Sequence, residues 1–227
     1  MKRCTMEKTL INFLLLSFAI CQIFAEPPTP IEVTNSINGT LGSFYEFMSD
    51  LHKFERQWRE CRESKGIEYG DKPLLRAHWD KCASSNTVEI KSLFVSPDPI
   101  VVPGPIRLNY DMAIVANISS PLQISLNIQK KISYFWVKIP CIQNVGSCTY
   151  SDICWLLDSV CSLPCVKTML SCECPIPQGE HRLNTGFEIP NIPLPSFLGG
   201  QYYIKVEGSS NGKPLFCYDV QFSIEIN

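Results

Sequence analysis

Two hydrophobic periods divide this 227-residue chain. From Ser43 to about Arg62, Phe44, Phe47, Met48, Leu51, Phe54, Trp58 and Cys61 recur every three or four residues, the spacing that lines one face of an α-helix. The intervening positions mix Lys53, Arg56, Arg59 and Arg62 with Glu46, Asp50, Glu55 and Glu60. Helix 43–62 is therefore predicted to pack its apolar face on a neighbouring domain, because a charge-balanced polar face suits a membrane surface less well than a basic one. From about Lys81 the period becomes two. Leu122, Ile124, Leu126 and Ile128 alternate with Gln123, Ser125, Asn127 and Gln129, and Phe216, Tyr218, Val220, Phe222, Ile224 and Ile226 alternate with Cys217, Asp219, Gln221, Ser223 and Glu225. Ile106, Leu108, Tyr110, Met112 and Ile114 repeat the pattern. Such runs are strands with one wet face, and Asn211-Gly212 between two of them marks a tight hairpin turn. The predicted class is mainly β and antiparallel. One short helix interrupts it from Ser151 to about Val160, capped by Ser151 or Asp152, with Ile153, Trp155, Leu156 and Val160 as its apolar side.

The N-terminal quarter reads differently. Met1 to Ala25 opens with Lys2, Arg3 and Lys8, runs through apolar Leu10 to Ile20 broken only by Asn12 and Ser17, and ends on small Ala25. That is the pattern of a secretory signal peptide cleaved after Ala25. The apolar run is too short to span a bilayer, and no later segment approaches the roughly 20 apolar residues a membrane helix needs. The expected product is soluble and either secreted or lumenal, within the secretory pathway. Residues 26–42 are rich in Pro, Asn, Thr and Gly and are predicted to form a disordered leader. The expected organisation is a signal peptide over 1–25, an N-terminal extension over 26–77 that carries the leader and helix 43–62, and a β domain over 78–227. Asn38-Gly39-Thr40 and Asn117-Ile118-Ser119 are glycosylation sequons, which make Asn38 and Asn117 candidate glycan sites.

Composition narrows the function classes. Cleavage removes three basic residues and one acidic residue, leaving 17 Lys plus Arg against 21 Asp plus Glu, a balance of −4. That balance and the lack of a basic cluster disfavour nucleic acid as a partner. With 45% hydrophobic residues, one sizeable core is within reach. Cleavage also removes Cys4 and Cys21 and leaves ten cysteines, six of them between Cys148 and Cys174. An even number of thiols in an oxidising compartment points to disulfides. Zinc is the weaker alternative, since Cys172-Glu173-Cys174 and Cys161-x3-Cys165 do not form two matched knuckles. No C-x-x-C redox motif occurs. No metal and no cofactor is expected. Intrinsic catalysis is disfavoured as well, because the mature chain holds only His52, His78 and His181, scattered carboxylates, and no G-x-S-x-G, H-E-x-x-H or phosphate-loop motif.

A sheet domain with one apolar face closes into a packed sandwich or stays open as a cup with an apolar cavity, and periodicity does not separate the two. Two loops favour the cup. Tyr134-Phe135-Trp136 and Leu194-Pro195-Ser196-Phe197-Leu198 place large apolar groups where turns are ordinarily polar, as suits a rim that touches lipid.

Several segments carry a family resemblance: SPDPIVVPGPIRLNY (Ser96 to Tyr110), SSPLQISLNIQKKI (Ser119 to Ile132), FWVKIPCIQNVGSCTYSDIC (Phe135 to Cys154), CECPIPQGEH (Cys172 to His181) and IPLPSFLGGQYYI (Ile192 to Ile204). In collinear order from about His78 to the C-terminus they resemble the ganglioside G(M2) activators, sphingolipid activator proteins with a β-cup of the MD-2-related lipid-recognition type. The resemblance implies a non-enzymatic, lysosomal or secreted protein that lifts a glycosphingolipid such as a ganglioside from a transiently contacted membrane and presents it to a hydrolase such as β-hexosaminidase. The alternative is a secreted interaction module that uses the same cup for another lipid or a protein. By resemblance, the loops bearing Phe135 and Trp136 and bearing Phe197 and Leu198 contact the membrane, and the short helix around Trp155 and Leu156 borders the opening. The family carries tryptophan where this chain has Phe197, which keeps apolar insertion and removes the indole N–H.

The same resemblance implies the disulfides Cys82 with Cys217, Cys141 with Cys148, Cys154 with Cys174, and Cys172 with either Cys165 or Cys161. Cys61 and one of Cys161 and Cys165 then remain. The expectation is a bond from Cys61 to Cys161 that holds helix 43–62 over part of the cup's mouth, as a lid or a removable pro-segment. Packing of the helix on the outer sheet surface, or pairing of Cys61 between two chains, is the alternative.

Overall fold

A computed structural model describes residues 30–63, 76–84, 87–132, 134–160, 174–189, 191 and 194–227. The expected signal peptide and the sulfurs of Cys61, Cys161, Cys165 and Cys172 lie outside the described residues, and the pairings proposed for those four cysteines lie there with them. The side chains of Asn38, Trp58 and Leu156 also lie outside.

Helix α1 runs from Pro30 to Glu63 and is about 50 Å long at 1.5 Å per residue. It starts 13 residues before the predicted Ser43, so the leader expected over 26–42 is helical from Pro30 onward. Pro30 stands in the first turn, where its missing N–H is no loss. Gly39 and Gly42, two of the residues on which the leader prediction rested, weaken a helix by about 1 kcal/mol each without forbidding it.

The strands form two sheets. In the larger, the order is β1 (His78–Lys81), β10 (Lys213–Ile226), β9 (Gly200–Ser210), β5 (Gln123–Ile132) and β6 (Phe135–Lys138), with β3 (Ile100–Val102) added parallel to the far end of β10 and β7 (Thr149–Tyr150) paired to the start of β5. The smaller sheet is β2 (Val88–Ser96), β4 (Gly104–Ile114) and β8 (Gly179–Ile189), all antiparallel. Helix α2 (Ile153–Val160) follows β7. Asn211 and Gly212, with φ of 49° and 76°, turn β9 into β10 with both central residues left-handed, as an Asn-Gly hairpin requires. Asp152 caps α2: its carboxylate accepts the Cys154 N–H at 3.0 Å and also the Leu122 N–H at 3.1 Å. Burial opposes that charge, but the Ser120 hydroxyl and the N–H groups of Leu122, Cys154 and Trp155 hold the carboxyl below its ordinary pKa.

Register and alternation decide which side chains face inward. Phe222 lies opposite Tyr202, Ile204 opposite both Val220 and Ile128, and Tyr202 opposite Lys130. In the smaller sheet Leu108 lies opposite Val95 and Thr185, and Tyr110 opposite Leu93 and Leu183. The two inner faces are tied together by Tyr218, whose buried hydroxyl accepts the Ile90 N–H at 3.0 Å and donates to the Val88 carbonyl at 3.0 Å.

Candidate functional site

The two sheets meet in a packed cluster at one end, and beyond it their inward apolar side chains are only half-buried. At one end Val88, Ile114, Ile118, Leu122 and Cys154 form a buried cluster with Met112, Ile124, Ile153, Cys174, Ile176, Leu215 and Phe216 around it. Beyond that cluster the inward positions stay apolar but half-buried: Leu93, Val95, Leu108, Tyr110 and Leu183 on one wall, and Leu126, Ile204, Val206 and Val220 on the other. Native cores are close-packed, so a band of facing apolar side chains that do not bury one another is a cavity wall.

At the other end a second cluster forms around Met48, Ile139 and Tyr202, with Phe44, Phe47, Ile128, Phe197, Leu198, Phe222 and Ile224 packed against it. Tyr202 and Phe222 stack at 5.7 Å. Burial among them pushes the Tyr202 phenol far above its ordinary pKa. Lys130 enters this apolar setting. Its ammonium donates to the Phe197 carbonyl at 2.8 Å and to the Gly199 carbonyl, and lies 5.3 Å from the centre of the Tyr202 ring. Burial lowers its pKa to about 8, against an opposing pull from Glu55 of α1. Gly200, at φ 121°, lets the backbone pass, since a Cβ there would stand 3.2 Å from the lysine nitrogen. The sequence pattern of β5 ends its apolar set at Ile128. Carrying the alternation two residues further would have placed Lys130 on the inner face.

That lysine makes stability depend on pH in a defined window. Its pKa is lower in the folded chain than in the unfolded one, so between about pH 8 and pH 10.5 the unfolded chain binds more protons and folding is increasingly favoured as pH rises. Urea midpoints of wild type should therefore climb relative to those of Lys130→Met between pH 7.5 and 9.5. Parallel curves for the two proteins would show that the lysine is not held in this way.

The residues singled out in the sequence lie at different places in the fold. Tyr134 and Phe135 are exposed at the tip of the β5–β6 hairpin, 45% and 59% respectively. Trp136 turns to the outer face of the larger sheet, 6.1 Å from the Tyr203 ring and 5.4 Å from the Lys131 ammonium. Phe197 and Leu198 sit in a short 3-10 turn (Ser196–Leu198), half-buried, with Tyr45 and His52 of α1 at ring distances of 6.1 and 6.3 Å from Phe197. Both apolar loops thus lie at the Lys130 end. Trp155 does not: it is 52% exposed in the first turn of α2, where the Ile153 N–H bonds the Leu122 carbonyl. Leu122 and Lys130 are eight residues apart along one extended segment, roughly 25 Å. Asn117 is exposed, and its side-chain oxygen accepts the Gln178 N–H at 2.8 Å.

Disulfides join Cys82 to Cys217, Cys141 to Cys148 and Cys154 to Cys174, the three pairs that the resemblance implied for these six residues. The first ties β1 to β10, and the third anchors α2 to the segment before β8.

Comparison with known proteins bears on this architecture. The curated ganglioside GM2 activator of Mus musculus is 37% identical over 156 residues, 65% of this chain and 81% of its own. That of Macaca fascicularis is 35% identical over 163 residues, 68% of this chain and 86% of its own. A solved Niemann-Pick type C2 protein from the Japanese carpenter ant aligns with a TM-score of 0.36 at 14% identity, over 66% of this chain and 99% of its own. The family profile of the ML domain matches residues 76–224, from just before β1 to near the end of β10, and the chain belongs to the ML-domain family.

Proposed function

We propose that this chain is a non-enzymatic lipid carrier of the secretory pathway, lysosomal or secreted, that takes the hydrocarbon part of a glycosphingolipid into the hollow between its sheets and offers the headgroup to a hydrolase such as β-hexosaminidase. The observation that carries this reading is the band of half-buried apolar side chains facing one another across the cup, together with the identity to ganglioside GM2 activators. A sphingolipid exposes roughly 30 methylenes, and at about 0.8 kcal/mol each their transfer to water costs on the order of 25 kcal/mol. A soluble hydrolase therefore needs a carrier whose walls replace the bilayer.

Uptake begins at the Lys130 end, where Tyr134 and Phe135 are exposed and the half-buried Phe197 loop lies close by. Phe135→Ser is expected to slow extraction of a fluorescent ganglioside from vesicles several-fold with the fold unchanged, since an exposed ring contributes to membrane contact and little to packing. The defining test adds the protein to β-hexosaminidase and ganglioside-bearing vesicles. Hydrolysis should rise with protein concentration. Extraction without faster hydrolysis would leave a carrier that presents its lipid elsewhere, and no extraction at all would favour an interaction module.

A further inference from the structure

Helix α1 lies outside residues 76–224, the stretch that matches the ML domain, yet its side chains complete the packing at the Lys130 end of the cup. Met48 is 1% exposed and packs with Tyr202 and Ile139, while Phe44 and Phe47 join the same cluster beside Ile128, Phe222 and Ile224. Ile128, Tyr202, Phe222 and Ile224 are inward positions of β5, β9 and β10, continuous with the walls of the hollow. Two phenyl rings and a flexible thioether are good space-fillers for a cavity shaped to take hydrocarbon. The same helix shelters Phe197 through Tyr45 and His52. Its opposite side is exposed and charged, including Glu46, Asp50, Lys53 and Arg56.

We propose that α1 is a resident occupant of the lipid site: Phe44, Phe47 and Met48 hold the place of ligand hydrocarbon, so docked helix and bound lipid exclude one another. Release of the helix opens the Lys130 end and bares Phe197 to a membrane in one movement. This rests on the lipid-carrier reading above. An internal competitor lowers apparent affinity by the fraction of molecules whose helix is undocked, so a variant that docks poorly binds more tightly.

The test uses the full mature chain and Met48→Asp, with a pyrene-labelled ganglioside as ligand and hydrogen exchange of peptides covering residues 44–56 as a second readout. Met48→Asp should bind about tenfold more tightly, as expected where roughly a tenth of wild-type molecules are undocked at rest, and saturating ligand should speed exchange of residues 44–56 in the wild type. Binding that is unchanged or weaker in the variant, or a helix that stays equally protected when wild type is saturated, overturns the proposal and leaves the lipid site standing. Should Met48→Asp not fold, the wild-type exchange experiment decides alone. If neither chain binds the ligand, the lipid-carrier reading falls and this inference falls with it.

Discussion

Replacing Cys82 and Cys217 together with serine should lower stability by about 5 kcal/mol, the entropy regained by an unfolded chain freed of so long a loop. The bond spans 135 residues and joins the end of β1, the first strand, to β10, the last, beside a backbone hydrogen bond from Cys82 to Cys217 at 3.0 Å. For a domain whose total stability lies in the range of about 5–15 kcal/mol, that is a shift of about 10–20 °C in melting temperature or outright failure to fold. The Cys141–Cys148 bond spans only 7 residues, and its removal should cost about 2 kcal/mol on the same reasoning. Thermal melts of the two double-serine variants check the contrast. Equal losses would show that strain or local packing, rather than chain constraint, sets the contribution of these bonds.

The second large effect is on ligand binding. Ile204→Asp puts a carboxylate in the middle of the larger sheet's inner wall, between Ile128 and Val220. In the open cup that group reaches water, but against bound hydrocarbon it is stripped of solvent without a partner, at a cost of several kcal/mol. Lipid extraction should fall by a factor of 100 or more while circular dichroism and disulfide content stay native. Leu108→Asp on the opposite wall should do the same, which guards against a folding defect peculiar to β9. Wild-type extraction by either soluble variant would mean that lipid does not lie between the sheets.

The strands were legible because their apolar faces alternate without interruption: Phe216 to Ile226 and Ile106 to Ile114 occupy the inner faces that period two assigns them. The Asn211-Gly212 turn and the Asp152 cap were legible for local reasons, since each needs only its neighbours. Lys130 was not, because a cation on an apolar face defies the pattern and is tolerated only where two carbonyls from a distant loop meet it. The early start of α1 escaped for a related reason: Gly39 and Gly42 lower helix propensity without deciding the outcome. That α1 is amphipathic could be read from its spacing. That its apolar face docks on Tyr202 and Phe222 could not, since the choice between cup interior and outer sheet surface depends on long-range shape. The disulfide partners were accessible through family resemblance and not through spacing.

Uptake of one lipid between the sheets is measured by incubating the protein with ganglioside-bearing phosphatidylcholine vesicles, separating protein from vesicles by gel filtration, and counting the lipid in the protein fraction by mass spectrometry. The expected result is about one ganglioside per chain for wild type, as a single enclosed apolar site implies, and almost none for Ile204→Asp. Ganglioside remaining wholly with the vesicles, or equal amounts carried by both proteins, would contradict it.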